Sequence, residues 1–278
     1  MNARIVGLAA VTALTLGTGC GITPSRHEVE VRKNWPAAGL ETLKVTGTNG
    51  RVDVTADPKA TEITMVAQCR VGKTEDADDI LTMDVKGTTL AIAEKERKNR
   101  RFLFGRETKI DYEFRVPEGI KLRIDNVNGR IEVDGVDAKM ELTTVNGPIE
   151  VTTPSGELVA RTVNGSVRAD FLERFPGARL KTVNGSVKVR VPRDCRVNPE
   201  IHQVNGSFRS DIPVTINSGG MDEESLEVTT VNGSVTLSEL NGLDIPELPE
   251  VPATPEATEL PAAPVAPAPP APPAAIAL

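Results

Sequence analysis

Four carboxylates, Glu132, Asp134, Glu150 and Asp170, recur at similar distances behind repeated Asn-Gly pairs, and carboxylates at fixed separations are what glycan-cleaving enzymes use. Glycoside hydrolysis needs two of them facing one bond, and elimination chemistry needs a base beside a cationic or metal partner. These four occupy the polar half of an alternating pattern or the end of an apolar run, so nothing in their spacing makes a pair converge. The two histidines, His27 and His202, lie far apart and cannot build a multi-histidine metal site. His202 also stands at a repeat position filled elsewhere by Lys, Thr or Arg, which reads as a solvent-facing side chain. The Asp-rich nonapeptide of calcium-binding β-rolls is absent. The expectation is therefore a protein with no catalytic residue, no cofactor and no metal.

Composition narrows the partners. With one Trp, one Tyr and six Phe among 278 residues, the chain cannot line an aromatic sugar cleft or stack a run of bases. A net charge of -7 argues against nucleic acid, whose phosphates must be neutralised by a surplus of Lys and Arg. One basic segment stands out: Lys95, Arg97, Lys98, Arg100, Arg101 and Arg106, with Phe102, Leu103 and Phe104 inside it. It suits anionic headgroups or an envelope polysaccharide, and equally a salt-paired solvated loop, since Glu94, Glu96 and Glu107 flank it. Cys69 and Cys195 are compatible with one disulfide or with two free thiols.

The elements that must position all of these are repeats. The segments IDNVNGRIEV (124–133), LTTVNGPIEV (142–151), ARTVNGSVRA (160–169), LKTVNGSVKV (180–189), IHQVNGSFRS (201–210) and VTTVNGSVTL (228–237) share one pattern, with a looser copy, VTGTNGRVDV, at 45–54. Asn128, Asn146, Asn164, Asn184, Asn205 and Asn232 are spaced by 18, 18, 20, 21 and 27 residues, the last spacing reading as an insertion near residues 217–225. Behind each corner, apolar and polar residues alternate with a period of two, as in Val187, Lys188 and Val189, which is the signature of a strand with one buried face. The pairs Asn128-Gly129, Asn146-Gly147, Asn164-Gly165, Asn184-Gly185, Asn205-Gly206 and Asn232-Gly233 are the expected structural turns, residues that accept positive φ at low cost.

Two all-β folds fit this grammar. In an antiparallel meander, each Asn-Gly closes a two-residue hairpin. In a parallel β-solenoid of 18–21-residue coils, each Asn-Gly joins two strands of one coil and every coil stacks on the next, valine on valine and asparagine on asparagine. A single unit of this length cannot bury its own apolar face, and the constant phase of like residues favours the solenoid. Burial of an aliphatic side chain contributes roughly 1.5 to 3 kcal/mol, so ladders of Val, Ile and Leu suffice without an aromatic centre. Residues 40–115 alternate less regularly and are expected to form an irregular N-terminal β cap that protects the end of a solenoid spanning 116–243.

The run YEFRVPEGIKLRIDNVNGRIEVDGV (112–136), followed by TVNG units, resembles the bacterial β-strand-repeat families described as adhesin candidates of unknown function. That resemblance extends over roughly residues 40 to 240 and implies an exported or membrane-linked protein with a β-helix-like domain. It defines no catalytic residues to carry over.

The termini fit export. Arg4 precedes an apolar run from Ile5 to Leu16, too short to span roughly 30 Å of hydrocarbon, which ends in small residues directly before Cys20. Residues 1–19 read as a signal peptide, and Cys20 resembles the acylated cysteine of bacterial lipoproteins, although Gly17 stands where their motif usually carries Leu. Gly21 rather than Asp follows the cysteine, which leaves the outer membrane open as a destination. Residues 20–39 would then be a lipidated N-terminus and linker. Residues 244–278 hold 11 of the 21 prolines and five acidic residues without one basic residue, the composition of a disordered tail. The whole reads as an envelope lipoprotein held to a membrane by its lipid, adhesive or structural in role, with an envelope polysaccharide or a protein as partner. A signalling or envelope-stress accessory protein and a polysaccharide-active β-helix enzyme are the alternatives.

Overall fold

The computed structural model describes residues 27–71, 80–95, 108–152, 154–193, 195, 197–212 and 224–240. The chain divides into two units, Met1–Gly242 and Leu243–Leu278, and every described residue belongs to the first. Cys20, the basic residues Arg97, Lys98, Arg100, Arg101 and Arg106, and the proline-rich tail lie outside the described residues.

Strands make up the described chain: β1 (His27–Pro36), β2 (Thr42–Thr46), β3 (Val52–Ala56), β4 (Glu62–Val71), β5 (Leu81–Lys86), β6 (Thr89–Glu94), β7 (Lys109–Val116), β8 (Lys121–Asp125) and β9 (Ile131–Asp134) come first. The repeats follow as β10 (Met140–Asn146), β11 (Ile149–Thr152), β12 (Leu158–Asn164), β13 (Val167–Asp170), β14 (Ala178–Asn184), β15 (Val187–Val191), β16 (Val197–Asn205), β17 (Phe208–Ser210), β18 (Glu224–Asn232) and β19 (Val235–Glu239). They form two sheets, one ordered β1-β4-β7-β3-β9-β11-β13-β15-β19-β17 and the other β16-β18-β14-β12-β10-β8-β2-β6-β5. Each Asn-Gly corner leads from a strand of the second sheet to a strand of the first, so one repeat is one coil. Strand pairs between coils are parallel, as in β10 with β12 and β11 with β13, which excludes the meander and makes the fold a parallel β-solenoid. Antiparallel pairing is confined to β1 with β4, β4 with β7 and β5 with β6, at the N-terminal end of the stack.

The core lies between the sheets. Ile131, Ile149, Val167, Val187 and Val235 form one in-register row, and Ile124, Leu142, Ala160, Leu180 and Val228 another, all buried. At the N-terminal end the core widens enough to take Tyr112 and Phe114, stacked at 6.0 Å.

Two features depart from the sequence expectation. Coils do not stack in chain order: β2 and β3 lie between β6/β7 and β8/β9, while β18 and β19 fill the place between β14/β15 and β16/β17. The spacing of 27 residues is thus a return crossover as well as an insertion. Like residues at like phase make every repeat an acceptable neighbour for every other, so the repeat sets the phase and the connections set the order. Secondly, the valine of each Val-Asn-Gly faces outward. Val127, Val145, Val163 and Val204 are exposed, and Val183 and Val231 are half-buried. The dry interior is built instead by the residues at alternate positions on either side of the corner.

Candidate functional site

The corner edge is made of four superposed rows. Along the first, each asparagine side chain donates from Nδ2 to the Oδ1 of its neighbour: Asn128 to Asn49 (2.7 Å), Asn146 to Asn128 (2.8 Å), Asn164 to Asn146, Asn184 to Asn164 and Asn232 to Asn184 (each 2.9 Å), and Asn205 to Asn232 (3.1 Å). Seven amides therefore run head to tail across the stack, polarising one another in the same direction. Asn49 continues it to the carbonyl of Thr108 at 3.4 Å.

The glycine row explains itself by contact more than by dihedral angle. A Cβ on Gly147, Gly165 or Gly185 would lie 2.1, 2.0 and 2.0 Å from the carbonyl oxygen of the glycine one coil away, and on Gly129 or Gly233 only 1.8 Å away. Of the six turns expected to need positive φ, Gly129 and Gly206 have it (149° and 150°), whereas Gly147, Gly165, Gly185 and Gly233 do not. These corners are broad bends between two sheets, unlike hairpin turns, so what glycine supplies is close backbone approach.

The third row, two residues before each asparagine from Asn128 to Asn232, caps those carbonyls. Thr162 Oγ1 donates to the Gly147 carbonyl at 3.0 Å and Thr182 Oγ1 to that of Gly165 at 2.9 Å. Thr144 and Thr230 make longer versions of the contact, while Asn126 and Gln203 substitute amide donors toward Gly50 (2.9 Å) and Gly233 (2.7 Å). Thr144, Thr162, Thr182 and Thr230 are buried, so their hydroxyls need these partners. The fourth row is the exposed valine. Together Val and Asn present a strip of methyl and amide groups repeating at the strand spacing of roughly 4.8 Å.

Residues 36–238 match the Toastrack DUF4097 family. The chain belongs to this family. No curated protein matches the chain. Solved structures with a similar course include a candidate cell adhesion protein from Clostridium sporogenes (11% identity, 76% of this chain and 99% of that one, TM-score 0.44) and a candidate adhesin from Bacteroides fragilis (14%, 79% and 100%, TM-score 0.38). A candidate lipid binding protein from Parabacteroides distasonis is a third (13%, 76% and 97%, TM-score 0.35).

Elsewhere on this Toastrack domain, charges lie in rows on the outer sheet faces. Glu113, Asp53, Glu132 and Glu150 are consecutive across four strands, followed by Arg168 and Lys188. Arg51 bonds Asp53 at 2.7 Å and Arg130 bridges Glu132 and Glu150, so the carboxylates are countered within the row. Burial pushes the Asp53 carboxyl up to about 6, Arg51 opposing it and the Glu132 and Glu113 charges adding to it. Asp170 is buried with Arg190 in a two-pronged pair at 2.6 and 2.7 Å. The carboxylates picked out by spacing thus separate: Glu132 and Glu150 stand in the outer row, Asp134 ends β9, and Asp170 is committed to an ion pair.

His202 is exposed and contacts Glu200 at 3.0 Å. Among the described residues, no group of three or more His, Cys, Asp or Glu side chains is placed to hold a metal ion. Cys69 and Cys195 are both free; burial pushes the Cys69 thiol up to about 12, and Cys195 is half-buried. Of the basic segment, Lys95 is exposed directly after β6, and Thr108 resumes the chain before β7 at the corner edge. The buried Thr row and the Asp53 row escaped the sequence reading. A Thr two residues before Asn-Gly, replaced by the amide donors Asn126 and Gln203 and only in the loose first copy by Gly47, was the available signal for the first.

Proposed function

We propose that this protein is an exported, lipid-anchored envelope protein whose solenoid works as a non-catalytic adhesive surface, and that the Val-Asn strip at the corner edge is the contact. The observation that carries this reading is a comparison among the chain's own coils. At the first corner the outward position is Thr48, exposed and compatible with the same ladder, yet six other coils place Val there. Packing does not require the methyl groups of Val127, Val145, Val163 and Val204, which are exposed. A repeated apolar and amide strip running along the stack suits a polymer with its own repeat, such as an envelope polysaccharide, or a protein strand better than a small molecule, which needs a concave pocket. The basic composition of the segment from Lys95 to Arg106, which the chain leaves at Thr108 beside Asn49, adds attraction for an anionic partner.

Anchoring rests on Cys20 behind its apolar run. In the bacterium, Cys20→Ser is expected to abolish incorporation of a palmitate analogue and release the protein from the membrane fraction. For the contact, purified protein is titrated onto isolated envelopes. The variant Val145→Ser, Val163→Ser, Val183→Ser is expected to bind at least about tenfold more weakly, equivalent to roughly 1.4 kcal/mol, while its thermal melt stays near that of the parent. Undiminished binding by the triple variant rejects the strip as the contact surface.

A further inference from the structure

The two ends of the stack are finished differently. At the N-terminal end the outermost strands, β1 and β5, are antiparallel to their neighbours and carry charge along their length: Glu28, Glu30, Arg32 and Lys33 on β1, Asp84 and Lys86 on β5. Charged edges of this kind discourage further pairing. At the other end, β16 and β17 form one terminal coil that still runs parallel to the rest. Its inward row is uncovered. Pro199, Ile201 and Gln203 are only half-buried and Phe208 is exposed, although the residues they register with one coil inward, Leu226, Val228, Thr230 and Val235, are all buried. Val204, at 72% exposure, is the most exposed of the large apolar side chains among the described residues. Eight of the nine residues of β16 pair on one side with β18 and, among the described residues, with nothing on the other.

We propose that this end is closed by a second copy of the chain, related by a two-fold axis normal to both sheets. Such an axis keeps each sheet in its own plane and reverses its strands, so β16 meets its copy antiparallel while β17 does the same, and two solenoids join into one continuous pair of sheets. The interface is self-complementary, as a two-fold contact must be. Centred on Ile201, the register sets Glu200 against His202 of the copy, twice. The phase of the repeat places Ser210, five residues after the corner asparagine, across the coil from Ile201, four residues before it. The same axis then passes Ser210 and sets Arg209 against Asp211, twice. Two Glu200–His202 hydrogen-bonding pairs and two Arg209–Asp211 unlike-charge pairs thus fall on the outer faces while Ile201 and Phe208 are covered within, and each opposed pair of this type contributes in the favourable sense. Pro199 has no N–H to donate and is tolerated in an outermost strand or one that pairs sparsely at that point.

The test uses the full chain with Cys20→Ser, so that no lipid drives association, and Cys195→Ser, so that this thiol does not cross-link. Sedimentation at about 50 µM is expected to give a dimer, since a Kd near 1 µM leaves most chains paired. Glu200→Lys with Arg209→Asp removes the acceptor opposite His202 and places like charges at both contacts with Asp211, and is expected to raise the dimer Kd at least about tenfold with the melt retained. Adding His202→Glu and Asp211→Lys to that variant restores the dimer. Residues directly opposed across antiparallel strands have Cα atoms about 4.5 to 5.5 Å apart, within disulfide reach. Ile201→Cys is therefore expected to cross-link under mild oxidation, whereas Val204→Cys, off the axis, is not. A monomer at that concentration, a dimer indifferent to the charge swaps, or equal cross-linking at both positions overturns the proposal. A chain that dimerises only when cut after residue 240 also overturns it, because the edge is then occupied by the tail.

Discussion

The corner glycines provide the sharpest test of how the coils are held together. Replacing Gly165 by Ala adds one methyl group at a site where φ is not in the left-handed region, so a purely dihedral account assigns it little cost. The stack assigns it a large one. The new carbon would lie 2.0 Å from the Gly147 carbonyl oxygen and 2.6 Å from its carbon, at least about 1 Å inside any contact that backbone atoms tolerate. Neither side yields easily. Gly165 N–H donates to the Asn184 carbonyl at 3.1 Å, Thr182 Oγ1 donates to the Gly165 carbonyl at 2.9 Å, and the asparagine amides on both sides hold the register. Overpacking of a tight site costs about 1 to 3 kcal/mol and each hydrogen bond strained or lost about 1 kcal/mol more, which gives roughly 3 to 5 kcal/mol in all. Gly119→Ala is the control: φ is +78° there and an added Cβ meets nothing within 4 Å, so the cost is the left-handed penalty of roughly 1 to 2 kcal/mol. Urea unfolding of both variants measures the difference. If Gly165→Ala is no more destabilising than Gly119→Ala, the close-approach argument fails.

Three further outcomes follow from other parts of the stack. Arg190→Ala removes two of the hydrogen bonds to the buried Asp170 carboxylate, which keeps its 2.8 Å contact with Arg168, and is expected to cost about 3 kcal/mol in urea unfolding, whereas Asp170→Leu with Arg190→Met removes both buried charges and stays close to the parent. The Asp53 carboxyl is raised from 3.8 to about 6, so the folded protein holds that proton more tightly than the unfolded chain, and the stability it adds is present below pH 3.8 and lost as pH rises through 6. With Arg51, Arg130, Glu113 and Glu132 left in place, the Tm of Asp53→Asn minus that of the parent is expected to be larger at pH 7 than at pH 4; a flat difference contradicts the shift. Val163→Ser, on the outward row, is expected to change stability by about 0.5 kcal/mol or less, while Leu142→Ala in the core costs roughly 2 to 5 kcal/mol.

The repeat made the fold class legible because 18- to 21-residue spacing with constant phase leaves few ways to bury alternate residues. It misassigned the valines for a physical reason. A β-branched residue next to Asn-Gly looks like core in sequence, but the period of two, counted back from Leu142 and Thr144, puts Val145 on the outer face and the threonine inside. The threonine's inward place went unread, since its partner is a glycine carbonyl of another coil. The close approach of glycines was equally hidden, because an Asn-Gly pair has a sufficient local explanation in turn preference. The edge position of β16 did leave a trace: Pro199 breaks the run that in other coils is unbroken, and proline within a strand belongs at an edge.

Phase and order are encoded in different places, and this bears on where the molecule meets others. Because every repeat offers the same ladder partners, the terminal coil differs from an internal one only in what its connections leave unpaired. Chain reversal supplies that difference at the N-terminal end, where β4 and β5 run against their neighbours and interrupt the parallel pattern. At the β16 end the chain instead returns inward to place β18, so the outermost coil keeps the orientation, the asparagine and the apolar inward row of an internal coil. An edge that still carries the internal pattern accepts anything that continues it. The Val-Asn strip and this open coil are thus two consequences of one repeat, the first repeating its outward residues along the stack and the second exposing its inward ones at the end.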